Sequence, residues 1–134
     1  MAIRTISKEK TYIPKFDGNR DEPPESQCVV RYKAPTIDLK NQIITTPVAI
    51  GEYDENGKST GMKVEIKQND ETMIRKMTVS LTKLGYQEDG SEDITYIKTG
   101  ADLLKAPIEY EPLIKELTEL YNKELKAGGV DEKN

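Results

Sequence analysis

The spacing of apolar side chains changes period several times along this chain. Cys28, Val30 and Tyr32 alternate with Val29, Arg31 and Lys33. That is the period of two of a half-buried strand, predicted here over 27–33. In 34–43, Pro35 suits a first helical turn, while Ile37, Leu39 and Ile43 share a face only in part, so a short helix or a turn is predicted. Further on, Met62, Val64 and Ile66 alternate with Lys63, Glu65 and Lys67, the clearest strand pattern in the chain. Together with the β-rich run Thr45–Tyr53 and the turn signals Asn56-Gly57 and Thr60-Gly61, this predicts a hairpin over about 45–67 with a loop longer than two residues. Pro47 cannot donate to a ladder, so the first run is an edge strand or starts late.

The period then lengthens. Met73, Ile74, Met77, Leu81 and Leu84 form one helical stripe behind an Asn69-Asp70 cap, and Gly85 is a natural terminator, predicting a helix over about 70–84. Thr78, Val79, Ser80 and Thr82 lower its propensity, so it needs packing to persist. A turn or hairpin tip through the acidic run Glu88 to Asp93 leads to a short strand at Ile94–Ile97. The closing helix, about 111–126, opens on Pro112 and carries Leu113, Ile114, Leu117, Leu120, Tyr121 and Leu125 on one stripe, before Gly128 and Gly129 stop it. The predicted fold class is α+β: a small antiparallel sheet, made of the hairpin and strand 27–33, packed by the two amphipathic helices. Leu113, Leu117 and Leu120 are expected in the core. Ile114, Tyr121 and Leu125 widen the stripe and are candidates for a partner surface.

Composition changes the reading at the ends. Residues 1–25 include "FDGNRDEPPE", where Pro23 and Pro24 forbid a helix and charges limit burial, so they are expected to form an extended arm that orders against a partner. Tyr12, Ile13 and Phe16 are the side chains able to pin that arm to a surface. Residues 26–127 are then a single domain and 128–134 a solvated tail. The apolar share is 35% and the charged share 33%, so the core is modest and the surface highly charged. Lys and Arg outnumber Asp and Glu by 11 to 10 in residues 1–67 but are outnumbered 14 to 9 in 68–134. Neither half has the clustered basic excess that nucleic acid requires. No stretch approaches the ~18 apolar residues of a membrane span, and none has the form of a signal peptide. A cytoplasmic location is expected.

Candidate chemistry is sparse. The chain has no histidine, which removes the usual general base and metal ligand together with Ser-His and Cys-His nucleophiles. Cys28 is alone and lies in an apolar run, so it is read as a buried hydrophobe. The order Gly57-Lys58-Ser59-Thr60 imitates a phosphate loop, but a strand follows where a helix is needed. The acidic loops lack the ligand spacing of a calcium loop. No catalytic residue, metal or cofactor is expected, and the chain is read as non-enzymatic.

The C-terminal half, about 70–126, resembles the small morphogenesis proteins coded in tail modules of tailed bacteriophages, the tail assembly chaperones among them. The similarity lies in the "ETMIRKM" helix, the acidic turn, the step Ile97-x-Thr99-Gly100-x-x-Leu103-Leu104, and the closing "LIKEL" helix. The resemblance implies a protein of the host cytoplasm or the virion that binds other phage proteins: tape-measure, tail-tube or neighbouring virion subunits, or further copies of itself. A structural subunit of the particle, such as a head–tail connector, tail or decoration protein, is the alternative. An enzyme or regulator without a visible site is the third class.

Overall fold

Glu9–Tyr12 forms a strand, β1, inside the stretch that the sequence predicts as an arm, and pairs antiparallel with β2, Val30–Lys33, from Glu9 opposite Lys33 to Tyr12 opposite Val30. The computed structural model describes residues 2–44, 48–65 and 69–127, and the side chains of 48–50, 63–65 and 127 lie outside that description. The arm expectation therefore fails for residues 9–25, because local charge and proline content do not report on long-range pairing. Pro14 is buried after β1, and a 3₁₀ turn follows at Phe16–Asp21. Asn19 ties that turn down: its amide nitrogen donates to the Pro14 and Cys28 carbonyls at 2.9 and 3.0 Å, and its oxygen accepts the Cys28 N–H at 2.6 Å. Pro24 starts a second short turn, Pro24–Ser26, leading into β2.

Helix α1, Ile37–Ile43, takes the helical alternative for its stretch, capped by Thr36 Oγ1, which accepts the Leu39 N–H at 3.0 Å. The predicted hairpin is present as β3, Val48–Tyr53, and β4, Ser59–Glu65. Asp54 shapes its loop by accepting the Asn56 and Lys58 N–H groups, each at 2.9 Å, and Gly57 supplies the positive φ of 82°. The hairpin does not join β2, as the sequence reading expects, but forms a two-stranded sheet of its own. At its base the Asn69 N–H donates to the Ile43 carbonyl at 2.9 Å, closing the chain where α1 ends and the next helix begins. The expectations for Pro47, for Ile66 and Lys67, and for the tail 128–134 with its terminating glycines fall outside the described residues.

The predicted helix 70–84 is two elements. Helix α2, Asp70–Met77, is capped by Asn69 Oδ1, which accepts the Thr72 N–H at 3.1 Å, and ends where β-branched residues begin. Strand β5, Thr78–Leu81, follows without a loop and pairs antiparallel with the far side of β2, giving a sheet in the order β1-β2-β5. Backbone bonds from Leu81 N–H to Lys98 carbonyl at 2.9 Å and from Ile97 N–H to Leu84 carbonyl at 3.0 Å lay the following segment along β5. Beyond the second of them sits a small ladder of β6, Gly85–Tyr86, with β7, Thr95–Tyr96, shorter than the strand predicted over Ile94–Ile97.

Helix α3, Gly100–Leu104, begins on a reciprocal cap: Thr99 Oγ1 accepts the Asp102 N–H, and Asp102 accepts the Thr99 N–H. Gly100 is needed for close approach, since a Cβ there would run into the Ile74 carbonyl oxygen of α2. The closing helix, α4, spans Glu111–Ala127. The fold is α+β. Val30 and Tyr32 face inward from β2 while Arg31 and Lys33 are exposed, so the sheet is wet on one side. Its dry side meets Met73, Ile74 and Met77 of α2 and Leu113, Leu117, Tyr121 and Leu125 of α4 in one buried cluster. Among the described residues no helix is long and apolar enough to cross a membrane.

Candidate functional site

Glu116 links the N-terminal segment to α4. One carboxylate oxygen accepts the Tyr12 hydroxyl at 2.6 Å and the Lys15 N–H at 2.7 Å, and the other accepts the Phe16 N–H at 3.1 Å. Two turns on, Glu124 pairs with Lys10 at 2.6 Å. Lys10 and Tyr12 lie opposite Tyr32 and Val30, so they share the inward face of the sheet. Residues 116, 120 and 124 thus form a second stripe on α4, spaced by four and covered by β1. The Arg20 guanidinium lies 5.4 Å from the centre of the Tyr12 ring, and its Nε donates to the Ile13 carbonyl at 2.8 Å. Burial, followed by the bond to Glu116, pushes the Tyr12 phenol up to about 12.

The six residues expected at a partner surface divide. Tyr12 and Phe16 are half-buried and committed to this internal clasp, with Phe16 also stacked at 5.6 Å on Tyr110. Ile13 is 39% exposed. Ile114 is partly buried against the core. Tyr121 and Leu125 are core residues and offer nothing to a partner. The Tyr121 hydroxyl lies 2.8 Å from Thr78 Oγ1, and its ring packs 5.3 Å from Tyr32. The sequence reading put Tyr121 and Leu125 on a partner surface because it gave α4 one internal layer to pack on; the sheet and the N-terminal segment together require a wider face.

Large apolar side chains are left uncovered at several other places, Ile37 of α1 and Ile108 ahead of α4 among them. Ile3 and Ile6 are 95% and 75% exposed on the extended residues before β1, and Tyr53 and Met62 are 68% and 69% exposed on the hairpin. No periodic signal separates these from core positions. Only their place on segments outside the packed layers does. Cys28 is buried, and burial pushes its thiol up to about 11, so it is neutral near pH 7 and poorly nucleophilic. Among the described residues no cluster of His, Cys, Asp and Glu is arranged to hold a metal ion.

No family model matches the chain, and neither a curated protein nor a solved structure matches it.

Proposed function

We propose that this chain is a non-enzymatic bacteriophage protein that acts through protein–protein contacts in tail assembly, in the manner of the tail-module morphogenesis proteins its C-terminal half resembles. The observation that supports it is the placement of Ile3, Ile6, Tyr53 and Met62, large apolar side chains exposed on two segments whose described side chains lie outside the buried core cluster. Exposed apolar side chains gathered on projecting segments suit a binding surface better than a catalytic one. The partner is a tape-measure or tail-tube subunit, and the chain works in the host cytoplasm.

The exposed residues before β1 favour a second reading, a structural subunit of the virion whose N-terminal segment grips its neighbour. Both readings use the same surface, and the location of the protein separates them. Co-purification with tape-measure or tail-tube subunits from infected cells, with absence from purified particles by mass spectrometry, supports the assembly role. Stoichiometric presence in particles supports the structural one. Ile3→Asp with Ile6→Asp, and Tyr53→Ser with Met62→Ser, should each weaken association while leaving the melting temperature within a degree or two. Association undiminished by both double variants would overturn the assignment of this surface.

A further inference from the structure

Among the described residues two non-glycine side chains stand on left-handed backbone, Asp17 at φ 52° and Lys83 at φ 55°, and both line the same cavity. Backbone held in that region costs free energy and tends to collect where a ligand is gripped. Asp tolerates it; Lys has no such excuse. The cavity, about 380 Å3, opens between the turn Phe16–Asp21, the link from β5 to β6, and the start of α4. Phe16 and Tyr110 form an aromatic wall, their rings 5.6 Å apart and inclined at 38°. Tyr110 is fixed by its hydroxyl, which donates to the Gly85 carbonyl at 2.9 Å, and buried Cys28 lies behind. Exposed Asp17 and Glu22 supply two carboxylates against the one ammonium of Lys83.

We propose that this cavity takes a lysine or arginine side chain presented by a partner protein. The aliphatic stem lies along Phe16 and Tyr110, whose faces attract a cation. The charged head meets Asp17 and Glu22, and the excess of carboxylates selects a cation over an anion. Lys83, on the same rim, is left to meet a carbonyl of the incoming segment. The occupant rests on the reading of this chain as a protein-binding protein, but the pocket's chemistry is independent of the exposed extensions and is tested without any partner.

The probe is N-acetyl-arginine amide or N-acetyl-lysine amide, titrated into the full chain and followed by NMR, with N-acetyl-norleucine amide as the uncharged control. Saturable shifts confined to Phe16, Leu84, Tyr110 and their neighbours are expected with the two cations. Asp17→Asn combined with Glu22→Gln keeps the left-handed preference at 17 and should weaken binding about tenfold or more. Equal binding of the norleucine compound, or shifts that do not saturate and spread over the acidic surface of α4, would overturn the proposal. Saturable cation binding by a chain that associates with no tail protein would leave the pocket standing and remove the assembly role instead.

Discussion

Glu116 is one of four glutamates on α4, with Glu111, Glu119 and Glu124, and nothing local marks it out. In the structure it satisfies one hydroxyl and two backbone N–H groups of a segment about a hundred residues away. Glu116→Ala should destabilise the domain by about 2 kcal/mol, since hydrogen bonds to a charged acceptor contribute more than neutral ones and two backbone donors lose their partner. The urea midpoint measures that loss. Proteolysis near Lys15 and Arg20, slow in the parent chain, should become rapid in the variant. Asp102 gives a prediction in pH. The N–H groups of Lys98 and Thr99 hold its carboxyl below the usual carboxylate range, despite an opposing effect of burial. Its folded value is depressed, so its contribution is present above the unfolded value near ~4 and is lost as pH falls through the folded value. Asp102→Asn should flatten the acid side of the melting-temperature profile below about pH 4 and lower the melting temperature at neutral pH by weakening the reciprocal cap. Tyr12 and Phe16 were legible as pinning residues; the surface they pin to was not, because an acceptor so distant in sequence leaves no spacing to read.

At the scale of elements, the stripe Met73, Ile74, Met77, Leu81 and Leu84 was read as helical; the first four are buried and Leu84 is partly buried against them. The same positions serve a helix followed directly by a strand, so the stripe located the core without fixing the backbone. The β-branched run Thr78-Val79, visible as low propensity, is where the change occurs. The hairpin was legible as an element but its neighbours were not, since alternation reports that a strand has two faces and not what covers either. The Thr99-Gly100 step, seen as part of a motif, acquires its reason only in three dimensions. Gly100→Ala forces α3 away from α2 and should cost about 1–3 kcal/mol, the range for inserting volume into a packed contact. Calorimetry that finds the variant as stable as the parent would show that the two helices separate freely.

For the molecule as a whole, the bond from Asn69 to Ile43 makes the hairpin an excursion from a domain that is already closed at that point. The two ends lie within hydrogen-bond reach, so a short link can replace what runs between them. Replacing residues 45–67 by a three-residue Gly-Ser-Gly linker should leave the melting temperature within a few degrees of the parent, because the described hairpin side chains, 51–62, are exposed and none belongs to the buried cluster. The same variant should lose any association that depends on Tyr53 and Met62. Collapse of folding in the linker variant would mean that the hairpin braces the core through contacts this architecture does not predict. The α+β class was legible because both periods occur in the chain; which strands share a sheet was not, because β1, β2 and β5 are separated by residues whose pattern says nothing of their order.

The clasp between Tyr12 and Glu116 also has a consequence in time. The two residues are 104 positions apart, and at ~5–20 residues per second a ribosome needs roughly 5–20 s to travel between them. Throughout that interval Lys10, Tyr12, Lys15 and Phe16 exist without their acceptors on α4, and once outside the ribosome β1 can at most rest on β2. Docking of this segment is therefore an event that follows translation of Glu124, and nascent chains arrested before Glu116 should leave it open to protease while chains released after Glu124 protect it.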